Sequence, residues 1–287
     1  MLLVTGATGQ LGGAVVSFLL KKIPVSEIAV LARDAAKASK LKEQGVDVRV
    51  GDYHNSESLE KAFQGVDTLL LISSSDFSDR LGQHKRAVDA AKKAGVKHII
   101  YTGVTMKNYQ KSAIAEFMGQ HFATEDYIKE SGITYTFFRN GLYADVLPMF
   151  LGQDPATTGV FIPAGEGKVA YVVREDIAEA LANVLTTAGH ENKTYPITGS
   201  TLYSYADVAS ILSDIYGKTV PYISPDQPTF FAALKAAGVP DMYIGVTYGF
   251  ADATKHHHFE EVDPTLEKLL GRKPLSLDVY LKSVYGK

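Results

Sequence analysis

The sequence predicts an α/β protein built on a Rossmann-like, doubly wound parallel sheet with a smaller C-terminal lobe. Three observations indicate this fold. Short apolar segments alternate with helix-like segments through the first half of the chain, a glycine-rich turn joins the first strand to a helix, and glycine or polar residues follow each later strand. Repeated strand–helix alternation produces parallel strands with right-handed crossovers, so ligands are expected beyond the carboxyl ends of the strands.

The elements of the first half follow from apolar patterning in chain order. One of them, at residues 68–72, is an unbroken apolar run, which is typical of a strand covered on both faces. The predicted strands are residues 2–5, 28–32, 46–50, 68–72, 98–101 and 134–138. The predicted helices are residues 11–20, 35–44, 58–63, 80–94 and 117–130.

The second half of the chain is less regular, and the prolines and glycines of residues 144–167 predict loops and short elements there. Further strands are predicted at 169–173 and 194–197, and further helices at 175–185, 205–216, 229–237 and 264–270. The expected division is a dinucleotide-binding domain of residues 1–143, with 169–200 returning to the same sheet, and a substrate lobe of residues 144–168 and 201–287.

Composition limits the classes of function. The 287 residues carry a net charge of −3, which offers no basic face for nucleic acid or anionic lipid. No apolar run approaches the roughly 20 residues of a membrane span, and the early first strand predicts no signal peptide. The absence of cysteine excludes disulfides, thiolate metal sites and cysteine nucleophiles. We expect a cytoplasmic protein without nucleic-acid or membrane partners, and the sequence leaves open whether it forms a homodimer.

The most informative motif is the series Gly6, Gly9 and Gly12 between the first strand and the first helix. Gly6 permits a tight exit from the strand, Gly9 lets the backbone approach a phosphate, and Gly12 lets the helix pack close to the sheet. Free N–H groups and the positive end of the helix dipole at this point suit a pyrophosphate. Incidental glycines are the alternative, but their spacing in a βαβ context favours dinucleotide binding.

Residues after the next strands bear on the type of dinucleotide. Arg33 stands where NAD-binding proteins usually carry an acidic residue for the ribose 2′-hydroxyl, and a guanidinium matches a 2′-phosphate. A surface arginine is the alternative, but NADP(H) is favoured over NAD(H). Asp52 falls near the expected adenine position or caps its loop. Ser73, Ser74 and Ser75 either let a ribose approach or serve only the turn.

The acid–base pair expected of short-chain dehydrogenases, Tyr-x-x-x-Lys, is missing. None of the 16 tyrosines has a lysine four residues later, and Tyr109 and Lys111 have the wrong spacing to share a helix face. Carbonyl reduction creates a strongly basic alkoxide that needs such a donor, whereas hydride addition to a quinone creates a phenolate-like oxygen with a pKa of ~10. The missing pair therefore favours quinone-like or other conjugated acceptors, or no catalysis.

His121 and Glu125 share a helix face in the region where that pair would lie. His121 is a candidate to orient the substrate or donate a proton, and a His–Glu surface pair is the alternative. No metal is predicted, because these two ligands are too few and the histidines at 256–258 are more typical of a solvated loop. The candidates for lining an aromatic pocket, with core packing as the alternative, are Tyr143, Phe150, Phe230 and Phe231.

Five segments together resemble the NmrA-like atypical short-chain dehydrogenases. They are T-G-A-T-G-Q-L-G-G at 5–13, G-D-Y at 51–53, A-G-V-K-H-I-I-Y-T at 94–102, Y-T-F-F-R-N-G-L-Y at 135–143 and G-H-E-N-K-T-Y at 189–195. The likeness covers most of the chain and weakens after about residue 220. The resemblance implies an NADPH-dependent reductase in which the missing tyrosine–lysine pair is usual, although some relatives are NADP-sensing regulators rather than enzymes.

The resemblance also implies which residues form the site. Asn140 and Gly141 would lie near the nicotinamide, which makes Asn140 a candidate catalytic residue beside His121, and the variable stretch 104–120 should border the acceptor. The predicted cofactor-binding residues are Gly6, Thr8, Gly9, Gln10, Leu11, Gly12, Arg33, Asp52, Ser73, Ser74, Ser75, Thr102, Phe138, Arg139, Asn140, Gly141, Leu142 and Tyr143.

Overall fold

The computed structural model describes residues 1–76 and 78–286, and its centre is a seven-stranded parallel sheet. The strands of the described residues are β1 (Leu2–Val4), β2 (Ile28–Ala32), β3 (Asp47–Val50), β4 (Thr68–Ile72), β5 (His98–Val104), β6 (Thr134–Asn140), β7 (Val160–Phe161), β8 (Lys168–Val169), β9 (Lys193–Ile197), β10 (Tyr203–Ser204) and β11 (Tyr222–Ile223). The sheet order is β3-β2-β1-β4-β5-β6-β9. This order reverses direction at β1, which opens a crevice at the carboxyl ends of β1 and β4.

Helices cover both faces of this sheet and form the lobe beside it. They are α1 (Gln10–Leu19), α2 (Ser39–Glu43), α3 (Ser56–Ala62), α4 (Arg80–Ala94), α5 (Ala115–Ser131), α6 (Leu147–Leu151), α7 (Pro155–Thr158), α8 (Arg174–Leu185), α9 (Tyr205–Tyr216), α10 (Gln227–Ala236), α11 (Asp241–Lys255), α12 (Thr265–Leu270) and α13 (Leu277–Tyr285). Helices α1, α8 and α12 share a core with one face, and α3, α4 and α5 share a core with the other. The predicted doubly wound fold is confirmed.

The apolar run of β4 shows why a sheet covered on both faces needs continuous hydrophobicity. Leu69 and Leu71 face the core beneath α3, α4 and α5, whereas Leu70 faces the core beneath α1 and α8. All three side chains are fully buried. Successive side chains in a strand point to opposite faces, so a polar residue at any of these positions would be buried in an apolar layer.

The C-terminal lobe has its own core, in which Leu147, Val208, Phe230 and Leu281 are buried together. Helices α9, α10, α11 and α13 surround it, and two small two-stranded sheets complete it. In these sheets β8 pairs antiparallel with β10, and β7 pairs parallel with β11. No helix in the described part of the chain combines the length and the apolar character that a bilayer span requires.

One expectation for the second half of the chain is wrong, and two of its helices are absent from the prediction. The strand predicted at 169–173 is only Lys168–Val169, and it pairs with β10 rather than with the main sheet, which receives β9 alone from this region. Helices α11 and α13 were not predicted. Gly245 and Gly249 lower the helix propensity of α11, although Tyr243, Val246 and Phe250 recur on one face of it.

Candidate functional site

Two adjoining cavities form one groove along the carboxyl edge of the sheet. We call the first, of about 400 Å³, the glycine-loop cavity, because Gly6, Thr8 and Gly9 line it together with the ends of β2 and β3. We call the second, of about 420 Å³, the lobe cavity, because the end of β6 and helix α11 line it. Ile72 and residues 73–75 line both cavities, so the groove is continuous across the end of β4.

The glycine turn seats the start of α1 against the sheet. Gly6 has a φ of +61°, which side-chain-bearing residues rarely adopt, and its carbonyl accepts the N–H of Gly9 at 2.9 Å. A Cβ on Gly12 would lie only 2.6 Å from the carbonyl carbon of Gly6. No side chain caps α1, so the first N–H groups of the helix remain available to a ligand. This turn fits a diphosphate, as the glycine spacing predicts.

Arg33 lies at the end of β2, is exposed, and lines the glycine-loop cavity. The neighbouring carboxylate is already engaged, because Asp34 Oδ1 accepts the backbone N–H of Ala36 at 2.9 Å and caps the short turn that follows. The polar side chain that β2 offers to the cavity is therefore cationic. Asp52 lines the same cavity while its Oδ1 accepts the N–H of His54 at 2.9 Å, so the geometry accommodates both roles considered for it.

Buried side chains fix the loop of residues 73–75 at the junction of the two cavities. The N–H of Ser73 donates to Thr102 Oγ1 at 2.9 Å, and the N–H of Ser74 donates to His84 Nε2 at 2.9 Å. The carbonyl of Ser74 accepts a hydrogen bond from Arg80 Nε at 2.8 Å. The loop backbone is thus held by three side chains from two neighbouring elements, β5 and α4, which leaves the serine side chains at the groove.

These contacts determine the protonation of two buried imidazoles. His84 Nε2 accepts from the Ser74 N–H, so its Nδ1 carries the proton and faces Thr124 Oγ1 at 2.9 Å. Arg80 can only donate, so His121 Nε2 accepts from it at 3.3 Å and His121 Nδ1 donates to Tyr101 Oη at 2.9 Å. Burial lowers the pKa of His84 to about 3 and the pKa of His121 well below its usual value, with Arg80 adding to both shifts. Both rings are neutral at pH 7.

The alternative of a His–Glu surface pair is wrong. His121 and Glu125 are 8% and 1% exposed, and they serve different partners. Glu125 accepts three hydrogen bonds from Arg139, two from Nε at 2.9 Å and 3.2 Å and one from Nη2 at 2.5 Å. His121 lines the lobe cavity with both ring nitrogens engaged, which favours orientation of a ligand over proton donation.

Asn140 ends β6 and is 2% exposed at the lobe cavity. Its Nδ2 donates to Tyr143 Oη at 2.9 Å, whereas its Oδ1 has no hydrogen-bond partner among residues 1–76 and 78–286. Buried polar atoms are normally paired, so this oxygen indicates a missing ligand group. The guanidinium of Arg174 lies 4.7 Å from the centre of the Tyr143 ring and donates to Gln10 Oε1 at 2.6 Å; Arg174 was not predicted.

Most of the predicted residues line the groove. In the glycine-loop cavity these are Gly6, Thr8, Gly9, Arg33, Asp52, Ser73, Ser74 and Ser75. In the lobe cavity they are Leu11, Ser73, Ser74, Ser75, Thr102, His121, Asn140, Gly141, Leu142 and Tyr143.

Four predicted cofactor-binding residues do not line either cavity. Phe138 is fully buried in the core beneath α1 and α8, and Arg139 points to the opposite face, toward Glu125. The side-chain alternation of β6 places these two side chains away from the groove. Gln10 instead binds Arg174, and Gly12 contacts the glycine turn from behind.

The aromatic wall of the lobe cavity was predicted only in part. Tyr143 and Phe150 line the cavity, whereas Phe230 and Phe231 belong to the packed core of the lobe. The variable stretch borders the cavity as expected, through Val104, Phe117 and Met118. Residues that the sequence reasoning missed include Arg80, Tyr171, Tyr243 and Phe250.

The three consecutive histidines serve separate neighbours. His257 Nδ1 lies 2.7 Å from Glu260, and His258, which is buried, places its Nδ1 2.8 Å from the carbonyl oxygen of Lys107. Within the described ranges, no group of three or more His, Cys, Asp or Glu side chains could hold a metal ion.

Comparison with known proteins shows the family. The model of the NmrA-like family matches residues 1–280, and the chain belongs to this family. It is 40% identical over 284 residues to quinone oxidoreductase 2 of Escherichia coli (strain K12), covering 96% of each chain. It is 30% identical over 285 residues to an NAD(P)H azoreductase of Xenophilus azovorans, covering 99% of this chain and 97% of the relative. The family resemblance seen in the sequence is confirmed.

A solved structure agrees with this assignment. The crystal structure of the Citrobacter sp. triphenylmethane reductase complexed with NADP(H) superposes with a TM-score of 0.93 at 40% sequence identity. The match covers 99% of this chain and 100% of the reductase. The fold is therefore that of a family that contains a reductase crystallised with NADP(H).

Proposed function

We propose that the protein is an NADPH-dependent reductase that transfers hydride to quinone-like or other conjugated acceptors. The observation that carries the proposal is the continuity of the groove, in which a glycine-loop cavity suited to a dinucleotide opens directly into an aromatic lobe cavity. Relatives named as a quinone oxidoreductase, an azoreductase and a triphenylmethane reductase support a reductase role over a regulatory one.

The cofactor fits the continuous groove for three physical reasons. Uncapped N–H groups at the start of α1 match the diphosphate. The exposed cation of Arg33, beside the engaged carboxylate of Asp34, suits a 2′-phosphate rather than a free 2′-hydroxyl. The unpartnered Asn140 Oδ1 offers an acceptor to a ligand N–H or O–H in the lobe cavity. The first and third features suit either dinucleotide, and the cation of Arg33 favours NADP(H) over NAD(H).

The lobe cavity is proposed to bind a flat acceptor. Phe117, Tyr143, Phe150 and Phe250 line it, and aromatic side chains of this kind can pack against a conjugated ring. A bound nicotinamide would supply the hydride. The protein contributes the positioning of the ligands. The 73–75 loop and the Asn140–Tyr143 pair are held by hydrogen bonds with the buried side chains of Thr102, Arg80 and Asn140, so ligands would meet a preorganised surface.

The residue roles and the division of the chain remain proposals. We propose His121 as an orienting side chain and Asn140 as the group that holds the reacting end of the cofactor. We also propose that residues 1–143 with β9 form the cofactor domain, and that residues 144–168 and 201–287 form the acceptor lobe. The cytoplasmic location stays a prediction, and the homodimer stays an open alternative.

Steady-state NADPH oxidation with a panel of p-quinones, azo dyes, triphenylmethane dyes and enones tests the proposal. We expect turnover with at least one p-quinone. Val246 lines the lobe cavity on α11, so Val246→Phe should raise the KM for the quinone several-fold and leave the Kd for NADPH unchanged. The matched control is Val279→Phe on the exposed face of α13, which should change neither.

Tight NADPH binding without turnover across the whole panel would contradict the reductase proposal and favour the regulatory alternative. Equal quinone KM values in the wild type and Val246→Phe would contradict the placement of the acceptor in the lobe cavity. Calorimetric titration of each protein with NADPH and NADH separates these outcomes, because it measures the affinity of the glycine-loop cavity for each dinucleotide without requiring an acceptor.

A further inference from the structure

Arg80 is a buried arginine at the first position of α4 and lines the lobe cavity. It is 4% exposed, and its guanidinium carbon lies 4.1 Å from the centre of the Phe117 ring. Its Nε donates to the carbonyl of Ser74 at 2.8 Å, and its Nη1 donates to the carbonyl of Phe117 at 3.2 Å. Within residues 1–76 and 78–286, its second terminal nitrogen, Nη2, has no hydrogen-bond partner.

The charge of Arg80 is not neutralised by an ion pair with any described residue. Burial is the main influence and lowers the pKa of its guanidinium, whereas Tyr101 and Asp76 raise that pKa by a smaller amount. The imidazoles of His84 and His121, which face Arg80, are neutral, so they do not offset its positive charge. Removing an unpaired cation from water is costly. A buried guanidinium without an ion-pair partner beside a cavity indicates that a ligand supplies the anion that binds it.

We propose that Arg80 binds the negatively charged oxygen that forms on the acceptor as it is reduced. This inference rests on the proposed reductase function and names the group that replaces the missing tyrosine–lysine pair. The cavity offers the acceptor one fixed cation with a free N–H, and the start of α4 adds positive potential at the same place.

The chemistry balances with NADPH as the reductant. The C–H bond of the reduced nicotinamide breaks, its hydrogen and both electrons pass to the quinone, and one quinone oxygen takes the negative charge. NADPH becomes NADP⁺, and one proton from water then completes the hydroquinone. Because the phenolate-like oxygen has a pKa of ~10, a cation that stabilises it removes the need for a strong acid at the site.

A purely structural role is the competing explanation, since Arg80 also holds the 73–75 loop. That role uses Nε and Nη1, whereas oxyanion binding uses Nη2. We therefore compare Arg80→Met and Arg80→Lys with Arg49→Met. Arg49 is a matched control because its guanidinium also binds two backbone carbonyls, those of Ala62 and Gln64, but lies on β3 away from the lobe cavity.

With quinones at saturating NADPH, we expect Arg80→Met to lower kcat about 100-fold, as for the loss of one oxyanion donor. The KM for the quinone should change little, because the negative charge exists only after hydride transfer. Arg80→Lys should recover part of the loss, and Arg49→Met should keep the wild-type kcat. The deficit should increase across p-quinones whose reduced oxygens are more basic, whereas a disturbed loop would lower all rates by one factor.

A binding measurement tests the same site without turnover. With NADP⁺ present, 4-nitrophenol is titrated by visible absorbance in each protein. The wild type should lower the apparent pKa of bound 4-nitrophenol by about one unit relative to Arg80→Met, which is a tenfold preference for the phenolate. Arg80→Lys should keep most of that shift.

Equal apparent pKa values for 4-nitrophenol in the wild type and Arg80→Met would overturn the proposal, and so would no binding of this probe by the wild type. A normal quinone kcat in Arg80→Met would also overturn it while leaving the reductase function intact. Failure of the wild type to reduce any quinone would instead remove the proposed function. Thermal unfolding of each variant identifies any loss of fold, in which case Arg80→Lys decides the outcome.

Discussion

The two cavities of the groove are built in different ways. The glycine-loop cavity is made from turns that directly follow neighbouring strands, and it uses backbone N–H groups and one exposed cation, Arg33. The lobe cavity is made from side chains of distant elements, among them Arg80, His121, Tyr143 and Phe250. The glycine-loop cavity therefore depends on residues close to one another in the sequence, whereas the lobe cavity depends on tertiary packing. Substitutions should therefore affect the two halves differently.

The largest effect is expected at the base of the glycine-loop cavity, with Gly12→Ala. The new Cβ would lie 2.6 Å from the carbonyl carbon of Gly6 and 2.9 Å from Cα of Ala7, and neither backbone atom can move without shifting α1. Overpacking against backbone should lower the free energy of unfolding by about 3 kcal/mol or more, and NADPH binding should weaken with it. Urea unfolding and calorimetric titration measure both.

Gly13→Ala is the matched control, because its Cβ would meet only the carbonyl oxygen of Ala7 at 3.4 Å. Alanine is the better helix former by about 1 kcal/mol, so this variant should be at least as stable as the wild type. Equal stability of the two variants would contradict the seating of α1 on the glycine turn.

The contrast between the halves explains what the sequence could predict. The glycine turn, Arg33 and the serine loop follow their strands directly, so short patterns were enough to find them. Tyr243 and Phe250 reach the groove from α11, a helix whose pattern is interrupted by Gly249. That glycine is required by close packing, since a Cβ there would collide with the side chain of Ile114. Contacts of this kind join residues far apart in the chain, and no local pattern carries them.

The errors within correctly predicted elements have a similar origin. The resemblance assigns the whole segment 138–143 to the cofactor, but strand alternation turns Phe138 into the core and Arg139 toward Glu125. His121 and Glu125 share a helix face, as their spacing predicts, yet burial gives each its own arginine. Sequence spacing identifies which side chains can meet, and the partner brought by the fold decides which contact forms.

The next largest effect concerns cofactor choice in the local half of the groove. Arg33→Glu replaces a cation suited to a 2′-phosphate with a carboxylate that repels it. A charged hydrogen bond contributes about 1.5–3 kcal/mol, so the ratio of NADPH to NADH affinity should fall about 100-fold. Lys37→Glu, an exposed charge reversal in the following turn, should leave the ratio near the wild-type value. An unchanged ratio in Arg33→Glu would remove the role proposed for Arg33.

The smallest of the three effects is a pH dependence that belongs to the lobe half. Burial holds the pKa of His84 at about 3, below the ~6.5 of an unfolded histidine. As the pH falls below 6.5, the unfolded chain takes up a proton that the folded chain refuses, so stability present at pH 7 is lost progressively toward pH 3. Between pH 7 and pH 5 this imidazole alone should account for a loss of about 2 kcal/mol.

His84→Gln should remove that share of the acid sensitivity, because an amide can still accept the Ser74 N–H and donate to Thr124 Oγ1 without titrating. Urea unfolding at pH 7 and pH 5 measures the difference. His256→Gln, at an exposed side chain, should keep the wild-type pH dependence. If His84→Gln lost as much stability between the two pH values as the wild type, the neutral state assigned to His84 at the junction of the two cavities would be incorrect. The rigidity of the 73–75 loop, on which the lobe half depends, would then lose its explanation.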